Sequence, residues 1–152
     1  MTPEMKQEYT RRITSANRTG IIVITYEIAL GYLADAREAA KNGDKEACRL
    51  EIKRAGKCVE ELLGALNYDY AISLNLMRIY NYVLECFRQA SYSMDMSKLD
   101  EPESILGRLK KSFGEVAKTD TSGPMMSGAD EVYDGLTYNA KGRTNLNTFK
   151  PR

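Results

Sequence analysis

The chain has 152 residues, 43% of them hydrophobic and 28% charged, which fits one globular domain with its own core. Lys and Arg total 22 and Asp and Glu total 21, so the surplus of basic side chains that nucleic-acid binding requires is missing. There are 0 His, which removes the commonest proton-transfer side chain at neutral pH and the commonest transition-metal ligand. We therefore expect no nucleic-acid partner, no metal and no cofactor.

The cysteines and the N-terminal residues predict a cytoplasmic protein. Cys48, Cys58 and Cys86 are odd in number and widely spaced, which favours a reducing compartment over a disulfide framework. The first eight residues lack the apolar stretch of a secretory signal. The longest aliphatic run covers residues 21–24, far short of the roughly 20 residues that a membrane span needs, so we expect no membrane partner.

The first two predicted helices cover residues 17–41 and 45–66. Ser15 or Asn17 can cap the first helix, and the break at residues 42–44 ends with Asp44 as a cap for the second. The β-branched start at residues 21–25 also allows a strand, but helical spacing continues for four more turns. The apolar stripes are Ile22, Tyr26, Ala29, Leu33, Ala36 and Ala40, then Cys48, Ile52, Ala55, Val59, Leu62 and Leu66.

Two further helices are predicted over residues 70–93 and 100–118. Asp100 is the expected N-cap of the last one, with Glu103 as its reciprocal partner and Pro102 tolerated in the first turn. Short connections favour antiparallel neighbours, so we predict an all-α, antiparallel up-down four-helix bundle preceded by a short N-terminal cap segment. The stripes are Ile72, Leu76, Ile79, Val83, Phe87 and Ala90, then Ile105, Leu109, Phe113 and Val116.

The apolar pattern ends after Lys118. We therefore divide the chain into a bundle domain with its cap, residues 1–118, and a polar linker and tail, residues 119–152. The tail carries Val132, Tyr133, Leu136, Tyr138, Leu146 and Phe149 among polar residues. This is too few for a separate core, although the tail could dock on the bundle or on a partner.

No catalytic constellation is present in the sequence. The absence of His excludes Ser/His/Asp and Cys/His sets, and neither a P-loop nor a GxGxxG motif occurs. Glu60 and Glu61 are adjacent, so their side chains diverge by about 100° on a helix. Cys48 lies on a core stripe and is expected to be a small buried hydrophobe. We predict that the chain is not an enzyme.

Several apolar residues lie outside the stripes of the second and third helices: Leu50, Leu63, Leu74, Met77 and Leu84. Two explanations stay open. An inner helix of a bundle can be apolar on several sides, or these residues form a groove for a partner helix, where unbranched side chains adapt to a guest. On the second explanation they are the candidate client groove.

Residues 9–116 resemble the flagellin export chaperones of the FliS type. Near the start, Ala16 and Tyr26 match the family, whereas Arg18 replaces its usual proline. In the second helix, Lys53, Ala55, Glu61 and Leu62 resemble the family's Lys-Ala-x-x-Ile-Ile-x-Glu-Leu. The best match is in the third helix, where the family reads Asn-Leu-x-x-Leu-Tyr-Asp-Tyr-Met and this chain reads Asn75-Leu76-Met77-Arg78-Ile79-Tyr80-Asn81-Tyr82-Val83.

The resemblance implies a cytoplasmic chaperone that binds the disordered C-terminal segment of flagellin. Such a chaperone prevents premature polymerisation and hands its client to the flagellar export apparatus. It also implies that the N-terminal segment, with Tyr9 and Ile13 as cap candidates, covers the groove when no client is bound. The alternative is a self-associating helical bundle with no flagellin client, whose apolar strip would form a weak homodimer.

Overall fold

A computed structural model describes residues 1–120 of the chain. They form five α-helices and one 3₁₀ turn, and this described part contains no strand, so the all-α prediction is confirmed. The tail prediction for residues 121–152 lies outside the described residues. The elements are α1 (Pro3–Ser15), α2 (Arg18–Lys41), α3 (Lys45–Gly64), α4 (Ile72–Ser93), the 3₁₀ turn (Met96–Leu99) and α5 (Asp100–Thr119).

Local sequence signals set the junctions around α2. Asn17 is its N-cap and accepts a hydrogen bond from the Gly20 amide. At its other end Gly43 adopts φ 78°, a conformation that favours glycine. The Gly43 and Asp44 amides then bond back to Ala40 and Ala39, which closes the helix in a Schellman motif. Asp44 also caps α3, so the two helices are joined by only three residues.

The predicted capping role of Asp100 is wrong. The 3₁₀ turn runs directly into α5, so Asp100 already has helical backbone angles and no side-chain cap is made there. Asp100 and Glu103 instead both pair with Arg37 of α2, at 2.8 and 3.0 Å. The partner is distant in the sequence, and for this reason the local pattern could not indicate it.

Contacts between helix ends show how the bundle is arranged. The start of α2 meets the end of α5 at Thr19 and Asp120, whereas Arg37, near the other end of α2, meets the start of α5. Arg49 at the start of α3 bonds to Ser91 at the end of α4. These contacts are compatible with the predicted four-helix bundle of α2 to α5.

The core follows most of the predicted stripes. Two predicted core residues are exposed, however: Ile72 by 58% and Val116 by 54%. Both lie at the end of the bundle where α3 passes into α4, and no helix within residues 1–120 covers them there. α5 turns a different line inward, so Pro102 and Leu106 are buried, whereas Ile105, Leu109 and Phe113 are only partly buried.

The N-terminal segment is itself a helix. Thr2 caps α1 by accepting from the Met5 amide, and Pro3 occupies a first-turn position. Ile13 is the only fully buried residue of α1, and the helix packs against α2.

α2 is the most apolar helix. It is the one helix of the described part that is long and apolar enough to cross a membrane by length and composition. Half of its most apolar stretch is buried within the bundle, as in the central helix of a soluble protein. Nine of its residues are buried, which makes it the centre of the core.

Candidate functional site

A groove of about 760 Å³ runs between α3 and α4 on the outside of the bundle. Its floor is apolar: Ile52 and Phe87 are buried, and Leu84 is half-buried. Gly56 also lines the groove, and a Cβ at this position would lie 3.8 Å from Leu84 and 3.9 Å from Phe87. The missing side chain therefore deepens the groove beside these two residues. We call this surface the α3–α4 groove.

The rim of the α3–α4 groove carries more basic than acidic side chains. Arg49 donates from Nε to the Ser91 carbonyl at 3.0 Å, which ties the two walls together. Lys57 pairs with Glu60 at 3.4 Å, and Glu60 is the one acidic residue of the lining. The basic residues of the lining are Arg49, Lys53, Lys57 and Arg88. An apolar floor with this rim favours an amphipathic guest that carries acidic residues.

Two of the groove candidates continue the line of this groove. Gly56 of α3 lies beside Leu84 of α4. Leu63 is seven residues, about two turns, beyond Gly56, and Met77 is two turns before Leu84. Both are half-buried, but only Leu63 packs against the buried core.

The remaining candidates occupy different positions on the same two helices. Leu84 lines the groove itself. Leu50 and Leu74 are 45% and 47% exposed and are not among the residues that line it. Helical spacing puts Leu50 on the side of Lys57, beside the groove, and Leu74 on the side of Tyr92. Leu74 lies almost three turns before Leu84, the first α4 residue that lines the groove.

The cap candidates lie on α1, away from this groove. Ile13 is buried against α2, and Tyr9 is half-buried against the core. Burial raises the pKa of Tyr9 above its usual value. Arg12 makes a forked ion pair with Glu27 of α2 and lies 5.9 Å from the centre of the Tyr9 ring. The attachments of α1 therefore include one buried side chain, one half-buried aromatic and a bidentate ion pair, and the Met1 amino group before it also pairs with Asp35 of α2 at 3.1 Å.

A second cavity, of about 470 Å³, opens at the end of the bundle where α2 and α4 begin and α3 and α5 end. Leu76 and Tyr80 form its buried wall, and Ile72, Tyr70 and Val116 form its exposed edge. We call it the end cavity. The sequence did not reveal it, because the stripe pattern assigns Ile72 and Val116 to the core.

Two of the three cysteines show the features of packed thiols. Cys48 and Cys58 are buried, and burial raises the pKa of both thiols, which disfavours the reactive thiolate. Within residues 1–120, no three His, Cys, Asp or Glu side chains are grouped closely enough to hold a metal ion.

A comparison with protein families gives a match. The family model described as "Flagellar protein FliS" matches residues 1–120, which is most of the chain and all of its described part. No significant match was found among curated proteins.

Proposed function

The chain belongs to the FliS family of flagellar export chaperones, and on that premise we propose that it binds the C-terminal segment of flagellin in the cytoplasm. The α3–α4 groove is the observation that supports this proposal, because it joins an apolar floor to a basic rim on two rigid helices. We further propose that the chaperone prevents premature polymerisation, hands flagellin to the export apparatus and performs no catalysis.

The size of the groove indicates how a client would bind. A disordered segment must bury roughly 1,000–3,000 Å² to offset the entropy lost on ordering. A groove of about 760 Å³ holds only part of such a segment. The client therefore follows the groove towards Leu63 and Met77, and its neighbouring turns pack on the exposed Leu50 and Leu74 beyond the groove.

We assign α1 the role of a displaceable cap. It contributes one fully buried residue, Ile13, whereas α2 contributes nine, so it leaves the bundle at lower cost than α2 would. α1 lies on α2 and lines neither the α3–α4 groove nor the end cavity. Tyr9 and Ile13 therefore cover an apolar face of α2, and a long client would use this face after filling the groove.

Titration calorimetry with a flagellin C-terminal peptide tests the proposal. A 1:1 complex with a negative heat-capacity change is the expected result, because apolar surface is buried. Met77→Glu is expected to weaken binding at least about tenfold, since it places a carboxylate, costly to desolvate, on the line of the groove. Asn75→Glu is the matched control: it adds the same charge to the same helix at an exposed position on another face.

Three outcomes would contradict the proposal. The first is no binding at about 100 μM peptide, a concentration at which even a micromolar complex forms. The second is equal weakening by Met77→Glu and Asn75→Glu, which would remove the groove assignment. The third is a dimer that forms with rising concentration and binds no peptide, which would establish the self-associating bundle instead.

A further inference from the structure

The end cavity is bordered by large apolar side chains that the bundle leaves uncovered. Ile72, Tyr70 and Val116 are exposed on its edge, and Leu76 and Tyr80 are buried behind them. Isolated exposed apolar residues are ordinary, but a group around one concave surface is typical of a binding site.

Arg18 gives the end cavity a preference for a negatively charged guest. Among the described residues that line the cavity it is the only charged one. Its Nε–H is buried and has no hydrogen-bond partner within residues 1–120. A buried guanidinium donor without an acceptor is costly, so a carboxylate brought to this position would be strongly favoured.

The chain leaves its described part beside this cavity. Val116, in the last turn of α5, lines the edge, and Asp120 follows one turn later. Asp120 is fixed there, because its carboxylate accepts from the Thr19 hydroxyl at 2.7 Å and its carbonyl accepts from Asn17 Nδ2 at 3.2 Å. The described part of the chain therefore ends next to the cavity edge.

The sequence that follows has the chemistry that this cavity favours. Residues 130–138 read Asp-Glu-Val-Tyr-Asp-Gly-Leu-Thr-Tyr, with three carboxylates, no basic residue and four large apolar or aromatic side chains. Residues 139–152 have the opposite charge: they contain Lys141, Arg143, Lys150 and Arg152 and no acidic residue. The positive charge of Arg18 therefore favours the acidic residues 130–138 over the basic residues 139–152.

We propose that residues 130–138 of this same chain occupy the end cavity. Val132, Tyr133 and Leu136 pack against Leu76, Ile72 and Val116. A carboxylate among Asp130, Glu131 and Asp134 accepts a hydrogen bond from Arg18. The proposal is independent of which client the α3–α4 groove binds.

The connection between Asp120 and Asp130 is long enough for residues 130–138 to reach the end cavity. Ten residue steps separate Asp120 from Asp130, which allows about 35 Å when extended and about 17 Å on average as a flexible chain. Tethering at this length gives an effective concentration in the millimolar range, so even a weak contact is well populated within one molecule.

The test uses the full chain, which contains 0 Trp, so one introduced tryptophan is the only one in the protein. Tyr133→Trp makes a single fluorescent reporter within the proposed segment, and Phe149→Trp makes the matched control in the basic part of the tail. We expect emission at shorter wavelength and weaker quenching by acrylamide for the reporter at position 133 than for the control.

Substitutions in the cavity identify the site. Ile72→Lys and Val116→Lys change exposed positions, so helicity measured by circular dichroism should stay constant. Each should shift the emission of the position-133 reporter to that of the control. Arg18→Gln should increase its quenching, and Asn75→Lys, outside the cavity, should change nothing.

Three results would overturn the proposal. One is a position-133 reporter that is as exposed as the position-149 control. Another is a protected reporter that neither Ile72→Lys nor Val116→Lys affects while helicity is retained. The third is protection that appears only as protein concentration rises, which would mean that a second copy supplies the segment.

Discussion

The hydroxyl oxygens of Tyr26 on α2 and Tyr80 on α4 lie 2.5 Å apart inside the core and share one hydrogen bond. Both side chains are buried, and the Tyr26 ring also packs against Phe113 of α5, with ring centres 5.7 Å apart. The tyrosine pair therefore joins α2 to α4 at a point where α5 also packs against α2. Because each hydroxyl is the hydrogen-bond partner of the other, the two residues form one structural unit.

We predict that Tyr26→Phe and Tyr80→Phe each lower the free energy of unfolding by about 1–3 kcal/mol, since each leaves one buried hydroxyl without its partner. The double variant should lose less than the sum of the two, because it leaves no orphaned hydroxyl. Urea unfolding of the wild type, the two single variants and the double variant gives the coupling energy between the two hydroxyls directly. Additive losses would show that the hydroxyls do not depend on each other.

The same pair makes stability depend on pH in the alkaline range. Burial raises the pKa of Tyr80 to about 12, and burial together with Tyr80 raises the pKa of Tyr26 as well. An unfolded tyrosine loses its proton near pH 10. Above that pH the unfolded chain binds fewer protons than the folded one, so stability present below pH 10 is lost as pH rises towards 12.

Urea unfolding at pH 9, 10 and 11 measures this loss. We expect the wild-type free energy of unfolding to fall more steeply than that of the Tyr26→Phe/Tyr80→Phe variant. The difference should reach at most about 1.4 kcal/mol per pH unit for each tyrosine. Parallel curves for the two proteins would show that other groups cause the decline.

Gly43 and Gly31 form a matched pair for backbone effects. Gly43 has φ 78°, so Gly43→Ala should destabilise the protein by about 1–2 kcal/mol even though no atom lies within 4 Å of the new Cβ. Gly31 lies within α2, and its Cβ would also meet nothing within 4 Å, so Gly31→Ala should stabilise by about 1 kcal/mol. Thermal unfolding checks both, and the same sign for both variants would contradict the backbone argument.

Arg37 holds α5 to α2 with its guanidinium fork. Nε and Nη2 donate to Glu103 and Asp100, and Nη1 donates to the Met96 carbonyl at 3.3 Å. All three charged groups are partly exposed, so we expect Arg37→Ala to cost only about 1 kcal/mol.

Arg37→Lys keeps the charge but cannot make the forked contact, so its stability should be intermediate. The cost of Arg37→Ala should shrink in 1 M NaCl, where exposed charges are screened. A lysine variant as stable as wild type would mean that only the charge matters.

Much of this fold could be predicted from local sequence signals. Asn17 and Asp44 mark the starts of two helices, because capping requires only residues three positions away. The apolar stripes likewise follow from a helical period of 3.6 residues, and the family resemblance depends on the order and spacing of short motifs.

What only the tertiary structure decided is which helix each side chain meets. The sequence pattern predicted that Asp100 caps α5, but Asp100 pairs with Arg37, which is 63 residues away. It assigned Ile72 and Val116 to the core, but both border the end cavity, at the end of the bundle where α4 begins and α5 ends. Periodicity defines the apolar face of a helix. Whether that face is covered depends on the length and placement of its neighbours, which no local pattern contains.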